Sequence, residues 1–357
     1  MKKLLALAVA AGLGCNAQAQ APASSFDRGS SLQVWQHADY AATLAQCKNP
    51  PAPFRIGGAG GAAASAEEPP APSLPVADAI PGIVAAGTPW RLVWAWQGNN
   101  ADGPIATDDG KLLMANQDAS NVMELDPATS LARVVYDDSN TGGAVSRSKN
   151  GALFLGMRGL GSGVLQLEPE RRVFANRIDG ESFDCAGGVV NDIAAAANGS
   201  VYIAVSGSGV FRAAPDGSIT HQGENMTGAN GIVLSPDESV LYVTNGPMLV
   251  AFDVQADGSL ANQRDLAALS GGGDGSAVDN SGNIFVAAGG AVNVIAPDGE
   301  VLGVIPGPQG LHGVAFGGND KRTLFGIIFY GGWGTPSARN QVVALDVLVQ
   351  GYLGRAK

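Results

Sequence analysis

The chain is expected to fold as an all-β, six-bladed β-propeller behind an N-terminal extension, and three observations lead there. Short apolar runs are broken throughout by Gly, Asn, Asp and Pro, and long amphipathic helical patterns are missing. A turn followed by a short apolar strand recurs six times, at intervals of about 40 to 48 residues. The runs are β-branched and separated by Gly turns, which excludes a helical repeat of similar period. A period in the forties with several short strands is the mark of a propeller blade, a four-stranded antiparallel sheet that covers its faces only by packing on its neighbours.

Taken in order, residues 1–19 read as a signal peptide. Lys2 and Lys3 precede the apolar run Leu4–Leu13, and Ala17-Gln18-Ala19 offers the small residues that a signal peptidase accepts. The run is too short for a permanent transmembrane helix. Cleavage near Ala19 then implies export, to a bacterial periplasm or as a secreted protein. A competing reading makes Cys15 a lipid-anchor site, against which stands Gly12 three places upstream. After cleavage Cys47 and Cys185 remain, and in an oxidising compartment they either pair or stay as two buried thiols.

Residues 20–88 form the N-terminal extension, with a short helix expected around Ala41–Cys47. From 50 to 88 the composition is dominated by Pro, Gly and Ala, as in Gly58, Gly60 and Gly61 and in Glu68-Pro69-Pro70-Ala71-Pro72. Such a segment buries too little apolar surface to offset its ordering entropy, so it reads as a linker or a strap lying on the surface. The propeller is placed at 89–357.

Its six repeats begin at Asp109-Gly110, Asn150-Gly151, Asn198-Gly199, Asp237-Glu238, Ser281-Gly282 and Asp320-Lys321, each leading into an apolar strand such as Val201-Tyr202 or Ile284-Phe285. The net charge is −11 and the basic residues never cluster. That argues against nucleic acid or an anionic membrane as partner, since both require concentrated Lys and Arg. Monomer and dimer are both left open.

Counting eight residues back from the turns lands on Asp102, Gly143, Asn191, Asn230, Asp274 and His312, just ahead of where the first strand of each blade is expected. In a propeller, equivalent positions converge on the central tunnel. Two carboxylates and two carboxamides make a hard, oxygen-rich site suited to calcium. Magnesium or manganese also fits, and zinc matches less well without His or Cys in the shell. Asp-Gly and Asn-Gly are common turn pairs taken singly, but one register of a six-fold repeat is hard to explain by turns alone. His312 reads either as a hydrogen-bonded structural histidine or as an acid/base group beside the metal. His37 and His221 are expected to play no part. Arg158, Met157 and Gln117 follow the second strands of blades two and one, where they either line the mouth and hold a polar substrate or stand as solvated loop residues. The aromatic stretch Phe329–Trp333 is placed to cover the mouth or to pack on the strap, which makes Trp333 a further substrate-binding candidate.

At these residues the chain resembles the senescence-marker-protein/gluconolactonase family. The similar segments are Gly228–Glu238 with Leu241–Thr244, Asp274–Asp279 with Gly282–Ala287, and Val314–Asp320 with Thr323–Phe325. The resemblance covers roughly residues 90–347 and leaves the extension unexplained. It implies a six-bladed propeller with one catalytic divalent ion, usually calcium, and often lactone or ester hydrolysis. The family's metal ligands carry over to Asn191, Asn230 and Asp274. Its first ligand, a Glu before Gly-Pro, falls on Asp102-Gly103-Pro104, one methylene shorter. A Glu-His pair of blade two falls on Met157-Arg158, which implies an unusual substrate choice.

The expected function is therefore a calcium-dependent lactonase or esterase acting on a small-molecule lactone or ester. Asp274 would activate water or attack directly, Asn191 and Asn230 would orient metal and substrate, and His312 would shuttle protons. Its rivals are a non-catalytic propeller that binds a ligand or a protein around a structural metal, and a different reaction on the same scaffold, such as phosphotriester hydrolysis or a strictosidine-synthase-like condensation.

Overall fold

The computed structural model describes residues 34, 37–52, 54, 69–98, 100–117, 119–332 and 335–354, so the signal-peptide reading, Cys15 and Trp333 lie outside the described residues. Six sheets, each built on four antiparallel strands, surround one axis. Blade one comprises the strands Ala101–Ala106, Leu112–Asn116, Asn121–Asp126 and Leu131–Tyr136. The innermost strands of blades two to six are Ala144–Arg147, Val189–Ala195, Ala229–Leu234, Gly273–Val278 and Leu311–Gly317. They touch in chain order, with the last against the first, so the blades follow the sequence around the ring.

The turn that repeats is a hairpin needing one left-handed residue. Gly110, Gly151, Gly199 and Gly282 supply it at no steric cost, with φ between 81° and 91°. Glu238 and Lys321 take the same conformation with side chains, at φ 61° and 52°. In blade six the left-handed residue thus stands one place beyond Asp320, where even spacing put it.

Arg91–Gln97, the apolar run before the first repeat, pairs antiparallel with Arg339–Asp346 as the outer strand of blade six. Joining the first and last parts of the propeller in one sheet closes the ring. Blade three is widened by the short strands Arg177–Ile178 and Glu181–Ser182 and by a 3-10 turn, Phe183–Ala186. Cys185 in that turn is disulfide-bonded to Cys47, with 5.5 Å between the α-carbons. Lys48 N adds a hydrogen bond to Glu181 Oε1 at 2.6 Å. The expected helix is one short turn, Tyr40–Leu44, too short to persist without such anchors.

The surface strap needs correction between residues 76 and 88. Ala77, Ile80, Ile83 and Val84 are buried in one apolar cluster with Phe285 and Ile305 of blade five and Val314 and Phe316 of blade six. Ile83 O accepts from Leu348 N at 2.8 Å, and Trp90 Nε1 donates to Pro306 O at 2.8 Å. Burying each larger apolar side chain contributes about 1.5–3 kcal/mol, which outweighs the Pro/Gly/Ala composition from which a surface strap was read.

Candidate metal centre and substrate pocket

The axial residues lie inside the innermost strands, not ahead of them. Pairing with the next strand slips between Asp102 and Ile105, Val190 and Asp192, Ala229 and Ile232, Gly273 and Ser276, and Leu311 and Gly313. A bulge leaves a residue out of the ladder and re-aims its side chain. Five blades use it to bring Asp102, Asn191, Asn230, Asp274 and His312 around one cavity of about 330 Å³.

The Gly after four of these residues is not a turn residue, because each stands within a strand. It is there for close approach. A β-carbon on Gly231 would sit 2.0 Å from Asp274 O, and one on Gly103 would sit 2.3 Å from Ala144 Cα. The innermost strands could not come this near the axis with any side chain at those places.

Blade two departs from the pattern. Its axial position is Gly143, where a β-carbon would meet Arg158 Cδ at 2.7 Å. The Arg158 side chain therefore runs through the space that Gly143 leaves and joins the cavity wall, at 4% exposure. Its backbone is held from below, with Arg158 N and Gly159 N both donating to Asn140 O at 3.2 and 3.1 Å. Asn140 and Thr141 each have φ 49°, a conformation that a β-branched residue rarely takes and that tends to be kept where function requires it.

The charges in the cavity act on one another. Asp274 lines the cavity and is half-buried. Burial first, and then the neighbouring Asp102 charge, push its carboxyl up to about 7 against the opposing pull of His312 and Arg158. Burial lowers the His312 pKa, but the negative charges of Asp102 and Asp274 outweigh it and leave the pKa raised. Its ring nitrogens face two carbonyls, Gly310 O at 3.0 Å from Nδ1 and Ala101 O at 2.9 Å from Nε2. Two acceptors favour the doubly protonated ring, which leaves no free nitrogen for the proton shuttle expected from the sequence. Burial lowers the Arg158 pKa, offset in part by Asp102 and Asp274.

The donor set fits a hard cation. Asn191 Nδ2 donates to Ser206 Oγ at 2.9 Å, and Ser206 Oγ to Ala229 O at 2.7 Å, so the carboxamide is oriented with its oxygen unspent. Asn230 Oδ1 is buried with no hydrogen-bond partner among the described residues, a cost that a cation would remove. Asp102 Oδ1 accepts from Gly103 N at 2.7 Å. Among the described residues no group of three or more His, Cys, Asp or Glu side chains is placed to hold a metal. Here the oxygens come from two carboxylates and two carboxamides, which suits calcium better than zinc.

Gln117 is wholly buried and is not among the residues lining the cavity. Phe329 and Leu311 make the cavity's apolar wall. His221 lies on the outer strand Ile219–Gln222, stacked edge-on with Phe211. Asn100 lines the cavity at 3% exposure. It escaped the sequence reading because it stands off the repeat register, two places before Asp102.

A family model described as SMP-30/gluconolactonase/LRE-like region matches residues 100–326. A gluconolactonase of Zymomonas mobilis is 28% identical over 246 residues, which are 63% of this chain and 60% of that protein. The chain thus spans less than two thirds of that relative. Two solved structures share the fold. A gluconolactonase of Xanthomonas campestris has TM-score 0.62 and 21% identity, covering 78% of this chain and 99% of that one. Regucalcin of Agrobacterium tumefaciens, a calcium-binding protein, has TM-score 0.58 and 18% identity, covering 72% and 92%.

Proposed function

Because this chain belongs to the SMP-30/gluconolactonase/LRE-like family, we propose that it is a lactonase or esterase working with a divalent ion, calcium by the character of its donors. The observation that carries this is the convergence of Asp102, Asn191, Asn230 and Asp274 on one cavity. The gluconolactonase relative in Zymomonas mobilis supports the reaction class.

Asp102, Asn191, Asn230 and Asp274 would hold the ion, which supplies Lewis-acid polarisation of a substrate carbonyl. Asp274, ionised when it helps to hold the ion, takes the proton from the attacking water. Asn191, fixed through Ser206, orients the substrate. His312, pinned between two carbonyls, acts as a fixed positive charge that favours the developing oxyanion. Leu311 and Phe329 keep water from one side of the cavity. Export to an oxidising compartment is part of the same proposal, and the Cys47–Cys185 disulfide supports it.

The test is hydrolysis of aldonolactones and aryl esters by the mature protein, with calcium and then with excess chelator. Turnover that requires calcium, and a loss of about 100-fold or more in Asp274→Asn with the fold intact, is expected. Absence of turnover in both conditions, with chelator still lowering the melting temperature, would replace the enzyme by a binding propeller with a structural ion.

A further inference from the structure

The guanidinium of Arg158 is a buried cation that the proposed chemistry does not use. Its Nε has no hydrogen-bond partner among the described residues. Among the described residues its side chain makes no hydrogen bond or ion pair, and Asp102 and Asp274 act on it only through space. Taking such a group out of water costs several kcal/mol unless something compensates it, and a structural role would have left it paired. It is built to be there. Gly143 is vacated for its stem, and the strained Asn140–Thr141 turn holds its backbone. Because the blades follow chain order, blade two faces blade five, and Arg158 lies across the axis from Asp274.

This inference rests on the lactonase reading and narrows it. From the geometry we infer that Arg158 anchors a carboxylate on the substrate, and that the protein takes acidic lactones of monosaccharide size. With a divalent ion held at the site, Asp102 and Asp274 would be taken up in offsetting it and would no longer compensate the guanidinium. A ligand bearing one negative charge remote from its lactone carbonyl restores the balance. The five donors of the guanidinium form a rigid fork matched to the two oxygens of a carboxylate. Neutral hydroxyls would leave the buried charge unanswered. A cavity of about 330 Å³ admits one sugar-sized ring and little more. The carbonyl end lies beside Asp274 and the carboxylate end beside Arg158, with the ring between.

The experiment compares two six-membered sugar lactones that differ only at the terminal carbon, one a hydroxymethyl and one a carboxylate, using the calcium-loaded mature protein. The carboxylate lactone is expected to be preferred in kcat/KM by about tenfold to a hundredfold, the range of one hydrogen-bonded charge pair. Arg158→Gln should abolish that ratio through KM, and Arg158→Lys should restore part of it. A ratio that Arg158→Gln leaves unaltered, or an equal fall in kcat on both lactones, overturns the assignment, since the arginine would then serve the reacting carbonyl or the fold. Calorimetric binding of the open-chain dicarboxylate and monocarboxylate acids gives a readout that needs no turnover. Tighter binding of the dicarboxylate by wild type, lost in Arg158→Gln, sustains the anchor even if neither lactone is hydrolysed, in which case only the lactonase reading fails. Equal binding of the two acids overturns the anchor whatever the turnover.

Discussion

At the residue scale the centre is a balance among Asp102, Asp274, Arg158 and His312, with Asp192 adding to the negative side. Without a cation Asp274 is held near 7, above the value of an unfolded chain, about 4. A carboxyl raised in this way stabilises the fold below its unfolded value, and the contribution is lost as the pH climbs through its folded value. His312, also raised, has the same sign at higher pH. The chelated protein should therefore lose stability between about pH 4 and 7, by at most ~1.4 kcal/mol per unit. Calcium should stabilise it increasingly over the same window, because ligands bind deprotonated. Melting curves across that range in chelator test this, with Asp274→Asn as the flatter control. A level wild-type profile would show that the carboxyl is not shifted. The identities of Asp102, Asn191, Asn230 and Asp274 were legible as one register of the repeat. The engagement of both His312 nitrogens was not, since its partners Gly310 O and Ala101 O belong to opposite ends of the propeller sequence.

At the scale of the strand, bulges and glycines do the positioning. Each bulge lets one polar side chain leave the ladder for the axis, and the following Gly lets neighbouring blades close upon it. Gly231→Ala would drive a β-carbon into Asp274 O and should cost about 1–3 kcal/mol while weakening calcium binding. Gly272→Ala, two places before Asp274, meets nothing within 4 Å and should change stability by under ~0.5 kcal/mol. Thermal unfolding of the pair separates close approach from general loss of flexibility, and equal melting temperatures would refute the steric account. The sequence pattern showed Gly at these places, but turn chemistry and close packing look alike in one dimension. Only the register of adjacent blades tells them apart.

For the whole molecule, three distant contacts complete the ring. Arg91–Gln97 closes blade six, residues 77–84 wedge between blades five and six, and the disulfide joins residues 138 apart to fasten the N-terminal arm to blade three. Replacing Cys47 and Cys185 by Ser should lower stability by roughly 2–4 kcal/mol. It should leave the axial site able to bind calcium, because no cavity-lining residue lies in the arm. Calorimetric melting and calcium titration of the double variant check both halves, and a variant that no longer binds calcium would make the arm part of the site.

The amino-acid sequence by itself determined the number of blades, their hairpin turns and the ring of oxygen donors, because those features repeat at short range and each copy carries its own turn and strand. Only the tertiary structure decided how the ring closes, that the Pro-rich strap enters the core, that the two cysteines pair, and that Arg158 occupies the place vacated at Gly143. Each of these depends on surfaces that meet only after the blades have packed, and no local pattern of residues records such a meeting.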